Sequence, residues 1–396
     1  MKKSPKNAAS DLQGTAKLTV DAVKGVTNIV ESLHSTIASF TGIIGDPKKD
    51  AKGISGMVYR NIRKITDAFG DGIDVMLGKL SDTIGEKQSF RSREAIVAAT
   101  NGVIGDYLHK HDNPLAIQMS LRRDGQALSK DEIAELIEQS NGKVLILIHG
   151  LCMNDLQWQR NNHDHGQALA EELGYTCLYL HYNTGKHVSE NGKELALLLE
   201  QFAKPDLSFS ILAHSMGGLL ARSACYYAQR ARQKWLTHCY KIIFLGTPHH
   251  GALLEKGGNW LNTMLKVSPY TEPFTKITNI RSCGITDLRH GNIIDEDWNQ
   301  HGRFEHNKDK RTYVPLPDNI KFYAIASTTS EKQDSILAAH VVGDGLVTVD
   351  SALGIHKDFD LKIPEENKWL GRDIGHIELL ENDEVYQVIK KWLEDK

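Results

Sequence analysis

The chain has 396 residues, of which 40% are hydrophobic and 24% charged, and it carries a net charge of −3. That is room for one large α/β domain with an appendage, or for two domains, at an ordinary soluble globular composition. No basic stripe dominates, which argues against a nucleic-acid partner. The five cysteines (Cys152, Cys177, Cys225, Cys239 and Cys283) are scattered, odd in number and without metal-ligand spacing, as expected of reduced thiols in a cytoplasmic protein.

Met1-Lys2-Lys3-Ser4-Pro5-Lys6-Asn7 is basic, but no apolar core of a signal peptide follows it. No apolar run reaches the ~18 residues that a spanning helix needs, so the expected location is the cytoplasm, with peripheral membrane association left open. From Asp21 to Phe40, Val23, Val26, Val30, Leu33, Ile37 and Phe40 recur at steps of three and four, the stripe of an amphipathic helix. Residues 42–53 read as a loop. Val58, Ile62, Ile65, Phe69, Ile73, Met76 and Leu80 mark a second stripe, and the alanine-rich stretch from Arg93 to Leu108 a third helix. Residues 1–110 therefore read as a helical hairpin or small bundle, and 111–396 as the main domain. The stripes suit packing on each other or on that domain, self-association, or contact with a lipid surface; the few lysines on the first polar face count against strong membrane binding.

After Asn113-Pro114, the alternation in Leu115 to Leu121 predicts a half-buried edge strand. Ser129 with Glu132 forms a capping box for a helix through Glu138. Lys143 to Ile148 is a continuous aliphatic run, as a central parallel strand buried on both faces requires. Strands at Thr176–Tyr182, Phe209–His214, Lys241–Leu245 and Ile320–Ser327 then alternate with helices at Asn191–Phe202, Leu219–Trp235 and Glu384–Glu394. This alternation calls for right-handed βαβ units and a doubly wound, mostly parallel sheet with helices on both faces. The interval 252–319 is too long for a simple connection and reads as a cap or lid. Its apolar residues Trp260, Leu261, Met264, Leu265 and Val267 suit either an acyl chain or packing.

The chain is organised around Ala213-His214-Ser215-Met216-Gly217-Gly218. A serine between a buried strand and a helix sits on a strained turn that lifts its hydroxyl clear, and small residues are needed where strand and helix pass closely. Here those are Ala213 and Gly217, an A-x-S-x-G variant of the elbow. A serine hydroxyl needs a base, and the base an orienting group. Val341-Val342-Gly343-Asp344-Gly345-Leu346-Val347 places an aspartate between glycines on a sharp loop. Asp373-Ile374-Gly375-His376-Ile377 places a histidine just before the last helix.

With His149-Gly150-Leu151 and Gly246-Thr247-Pro248-His249-His250-Gly251, these segments resemble the α/β-hydrolase superfamily in its lipase/esterase-like branch. The sequence is similar there to bacterial lipase-like proteins related to the GPI inositol-deacylase group, from about Leu115 to the C-terminus. The resemblance implies an α/β-hydrolase fold, Ser215 as nucleophile, His376 as general base and acid, and Asp344 as its orienting carboxylate. It also implies an oxyanion hole from the backbone N–H groups of Leu151 and Met216. His214 orients and packs the elbow. Plain alternatives stay open: Asp344 as a turn aspartate, His376 as a surface histidine, with Asp350, Asp334, His340 and His356 as rivals. His249 and His250 line the loop after the next strand, and a metal site there lacks a carboxylate at matching spacing. Cys152 reads as a small apolar filler. The expected activity is hydrolysis of an ester or lipid substrate through an acyl-serine, with no cofactor and no metal. Acyl transfer by the same residues, or a non-catalytic scaffold binding through the N-terminal helices, are the alternatives.

Overall fold

The computed structural model describes residues 90–203, 207–252, 282–299, 311–330 and 343–395. The two leading helical stripes and the apolar stretch from Trp260 to Val267 lie outside the described residues. In chain order the elements are helix α1 (Phe90–Lys110), strands β1 (Ser120–Arg123) and β2 (Gln126–Ala127), helix α2 (Lys130–Gln139) and strand β3 (Val144–Ile148). Helix α3 (His165–Leu173), β4 (Thr176–His181), α4 (Val188–Glu200), β5 (Phe209–His214), α5 (Met216–Ala231) and β6 (Cys239–Leu245) follow. The chain closes with α6 (Cys283–His290), α7 (Asp295–Asn299), β7 (Lys321–Thr328), α8 (Val349–Leu353), β8 (Lys368–Arg372) and α9 (Asp383–Glu394).

The strands form one eight-stranded sheet in the order β2-β1-β4-β3-β5-β6-β7-β8. From β4 through β8 each neighbouring pair is parallel, and β1 runs antiparallel to both β2 and β4. Alternation along β3 explains why it carries no polar residue. Val144, Ile146 and Ile148 pack into the core on one face with Leu195, Leu220 and Phe244. Leu145 and Leu147 pack into the core on the other face with Leu212, Ile243 and Ile389 of α9. A strand covered on both faces has no solvent side to decorate. The predicted capping box is present: Ser129 Oγ accepts from Glu132 N, and the Glu132 carboxylate accepts from Ser129 N.

The predicted edge strand is displaced. Pairing begins only at Ser120, and the preceding residues are bonded elsewhere. Asn101 of α1, fully buried, donates from Nδ2 to Leu115 O at 2.8 Å and accepts from Ile117 N at 3.0 Å. The apolar alternation of Leu115 and Ile117 thus reflects seating beneath α1. The same helix meets the C-terminal rim of the sheet, where Ile96, Ala99, Val103 and Leu108 pack with Leu151, Cys152, Met216 and Leu219. Among the described residues no helix is long and apolar enough to cross a membrane.

Replacing Asn101 by alanine strips partners from a buried carbonyl and a buried amide. We expect Asn101→Ala to lower the unfolding free energy by about 2–4 kcal/mol in urea titration. A change under ~0.5 kcal/mol would contradict the stitching role assigned to this side chain.

Candidate active site

Ser215 links β5 to α5 with φ 53° and ψ −123°, a conformation that strains any residue bearing a Cβ. Its amide donates to Leu245 O at 2.8 Å, which ties the turn to the end of β6. Gly217 allows the crossing: a Cβ there would lie 2.5 Å from the backbone oxygen of Ile148. Ala213 is fully buried in register between Ile148 of β3 and Phe244 of β6. Its methyl group fits a slot where the sheet leaves little room.

The acid and the histidine arrive from loops after β7 and β8. His376 is attached to Asp344 at two points: its amide donates to Asp344 O at 3.1 Å, and its Nδ1 donates to Asp344 Oδ2 at 2.7 Å. Asp344 Oδ1 accepts from the amides of Leu346 at 2.9 Å and Val347 at 2.8 Å, which fixes the carboxylate plane. A proton on Nδ1 makes Nε2 the lone-pair nitrogen, and this atom is buried without a hydrogen-bond partner among the described residues. Gly246, next to the Leu245 carbonyl that holds Ser215, brings the pieces together. A Cβ at Gly246 would lie 3.1 Å from both Asp344 Oδ2 and His376 Nδ1.

His214 bridges the elbow to the histidine loop. Its Nε2 donates to His376 O at 3.1 Å, and the two rings lie 4.8 Å apart. Burial first, then the neighbouring His376, hold its pKa well below the ordinary imidazole value, so it stays neutral. Asp350 lies in the first turn of α8, His356 stacks on Phe359, and Asp334 and His340 lie outside the described residues.

The loop after β3 carries Leu151. His149 Nδ1 donates to Gly150 O at 2.9 Å, and Met153 N approaches the same oxygen at 3.4 Å. In a trans peptide the N–H points away from the carbonyl of the same unit, so anchoring Gly150 O aims the Leu151 N–H in the opposite direction. A Cβ on Gly150 would lie 3.0 Å from Ser215 Cβ, which puts this peptide beside the elbow. Met216 N–H belongs to the first turn of α5 and has no intrahelical acceptor. Sequence reasoning missed the supports of this loop. Tyr182 stacks on His149 with centroids 4.6 Å apart and donates to His149 O at 2.9 Å. Cys152 holds φ 60°, and its amide donates to Thr184 Oγ1 at 3.2 Å. Burial pushes the Cys152 thiol up to about 12, which leaves it an inert filler. No motif announces such supports, because they act through backbone carbonyls and shape.

At His249 and His250, the guanidinium of Arg222 lies 3.4 Å from His249 Nδ1. A fixed positive charge there opposes a metal cation. Among the described residues no group of three or more His, Cys, Asp or Glu side chains has metal-ligand geometry.

The parallel sheet, the serine elbow after β5, the acid after β7 and the histidine after β8 define an α/β-hydrolase fold. Residues 114–281 match a family model described as a domain of unknown function, DUF7379. No curated protein matches the chain. Among solved structures it is similar to the mature lipase BlEst2 of Bacillus licheniformis, with TM-score 0.43 and 16% identity over 70% of this chain and 98% of that one. It is also similar to lipase B of Aspergillus fumigatus, with TM-score 0.40 and 12% identity over 69% of this chain and 55% of that one. Phospholipase PlaB of Legionella pneumophila gives TM-score 0.35 and 15% identity over 53% of this chain and 45% of that one.

Burial makes several imidazoles poor proton acceptors. His149 and His250 are pushed down to about 3 and His165 to about 4, from an ordinary value of 6.5. Below pH 6.5 the unfolded chain takes up protons that the folded one refuses, so these groups' stability is full above 6.5 and falls with pH towards the folded values. Each contributes a slope of up to about 1.4 kcal/mol per pH unit in that window. Urea midpoints measured from pH 7.5 down to 4.5 should fall steeply below 6.5; a flat profile would contradict the neutral, buried state of these rings.

Proposed function

We propose that the chain is a serine hydrolase that cleaves carboxylic esters, lipase- or esterase-like, through an acyl-serine intermediate. The observation that carries this reading is the two-point attachment of His376 to Asp344. It leaves a buried Nε2 that has no hydrogen-bond partner among the described residues, next to the loop that bonds the His214-Ser215 elbow.

In this reading Nε2 of His376 accepts the Ser215 proton as Oγ attacks the ester carbonyl carbon. Asp344 keeps the ring in the right tautomer and stabilises the imidazolium that forms. Negative charge moves to the former carbonyl oxygen, which accepts from the N–H groups of Leu151 and Met216; losing one such donor typically raises a barrier by about 3–4 kcal/mol. His376 then returns the proton to the leaving alkoxide as the C–O bond breaks. Water, deprotonated by the same Nε2, releases the acid and restores Ser215. Only backbone acts at the oxyanion positions, so the Leu151 and Met216 side chains contribute shape. Both pack in the rim cluster with α1, which supports treating that helix as part of the catalytic unit.

A fluorophosphonate probe should label the protein covalently, and Ser215→Ala should abolish the labelling. An unlabelled wild type, or an equally labelled variant, defeats the assignment. On a p-nitrophenyl ester, Ser215→Ala and His376→Ala should each lower turnover by at least ~10³. Asp344→Asn, which favours the wrong tautomer, should cost about 10³–10⁴. Undiminished turnover in any of the three removes that residue from its role.

A further inference from the structure

A largely buried ionic cluster joins helix α1 to the loop that carries Leu151. Arg122 stands at its centre, with its backbone fixed on both sides: β1 pairs it with Ala127 of β2 and with Tyr179 of β4. One nitrogen of its guanidinium, Nη1, donates to Glu94 Oε2 of α1 at 2.7 Å and to Asp155 Oδ1 at 3.3 Å. His181 Nδ1, at the end of β4, lies 3.3 Å from the same Asp155 oxygen. The other Glu94 oxygen accepts from Arg93. Glu94, Asp155 and His181 are buried, and the Arg122 side chain is 17% exposed. Burial works to raise the Asp155 carboxyl, but His181 and then Arg122 outweigh it and hold the group below its ordinary value, so it is charged at neutral pH.

Asp155 closes the loop that His149 opens. The turn it begins sets its place: Asn154 Oδ1 accepts from Leu156 N at 3.1 Å, and Asn154 N donates to Gln157 Oε1 at 2.9 Å. The chain at the end of β4 grips the same loop at three points. His181 faces Asp155, Tyr182 donates to His149 O, and Thr184 accepts from Cys152 N. Between them Asn183 donates from Nδ2 to Gly105 O of α1 at 2.9 Å. Cys152 at φ 60° is strained, and such a backbone persists only where its surroundings over-determine it. Leu151 itself packs in the apolar cluster with Ile96, Ala99 and Val103 of α1. Helix α1 therefore reaches the loop twice, by apolar contact at Leu151 and through Arg122 at Asp155.

We propose that Arg122 is a positioning residue for the oxyanion hole: by holding Asp155 and Glu94 together it keeps the aim of the Leu151 N–H and makes the hole depend on the placement of α1. The inference rests on the proposed ester hydrolysis, in which that N–H receives the developing negative charge. Arg122 acts through the loop and not on the substrate. Buried ion pairs add little net stability, because leaving water offsets most of their attraction. What they supply here is a fixed distance between a helix and a loop. Misplacing a reacting group by ~1 Å costs on the order of 10²-fold in rate, so the effect of a shifted loop is read in turnover. An interaction made only in the transition state lowers kcat without changing KM when it is lost.

The test compares, on the full chain, a p-nitrophenyl ester with its thiono analogue, in which C=S replaces the scissile C=O. Sulfur accepts hydrogen bonds weakly, so the thiono ester draws little on the oxyanion donors. We expect Arg122→Met and Glu94→Gln, each with its fold verified by circular dichroism, to lower kcat on the oxo ester at least ~10-fold with KM unchanged. On the thiono ester, followed with enzyme in excess, the loss should stay under ~3-fold. Asp155→Asn, which keeps the shape and removes the charge, takes the place of Arg122→Met if that variant does not fold. Equal losses on the two esters, a loss carried by KM, or an undiminished kcat in either variant overturns the proposal and leaves the ester-hydrolysis reading standing. A wild type that turns over neither ester overturns both.

Discussion

Holding Ser215 at φ 53° and ψ −123° costs on the order of 1–3 kcal/mol, and the rest of the site depends on that cost being met. The resistance to relaxation comes from both sides. β5 is buried along its whole length between two parallel neighbours, and the inner face of α5 is packed from Met216 to Ala224. Neither element can rotate without breaking the ladder or opening a void. The Ser215 amide, bonded to Leu245 O, locks the turn to a third element. Register in the sheet is therefore part of the site: one residue of slip along β6 would move Gly246 away from Asp344 and His376.

Neutral imidazoles recur as supports around this rim. His149 donates to Gly150 O beside the Leu151 amide, and His214 donates to His376 O. His165 donates to Leu379 O in the turn that follows His376, and accepts from His163 across 2.7 Å. Each pins one backbone carbonyl next to a position that the proposed chemistry uses. A lysine or arginine could make a similar bond but would carry a charge into a buried place at a cost of several kcal/mol. Neutral imidazole supplies a directed N–H without that charge. The linkage between acid and stability follows from the same choice.

What the sequence revealed about the fold was whatever local chemistry decides. The aliphatic run at Val144–Ile148 announced a doubly covered strand, and Ser129 with Glu132 announced its helix start. The end of α5 came earlier than the apolar pattern suggested, because Arg232 turns the chain at φ 53° where no glycine flags it. β8 went unread, since Lys368-Trp369-Leu370-Gly371-Arg372 is a short edge strand with charged ends and a mostly half-buried surface. α6 and α7 were hidden in a polar interval. At the candidate site, the small residues around Ser215, Asp344 and His376 are what single these three out in the sequence as the proposed catalytic residues. The two-point clamp between His376 and Asp344 was not legible, nor was the aim of the Leu151 amide, because backbone hydrogen bonds leave no residue signature. Arg222 was equally silent: in sequence it is one polar residue on a buried helix.

The most direct measurement is a crystal structure of the protein after reaction with a fluorophosphonate. The account predicts phosphorus bonded to Ser215 Oγ, with one phosphonyl oxygen ~2.7–3.1 Å from the amides of both Leu151 and Met216. It also predicts His376 Nε2 within hydrogen-bonding reach of the remaining ester oxygen, with Nδ1 still on Asp344. An adduct on another residue, or a phosphonyl oxygen turned away from those two amides with His376 remote, would contradict it.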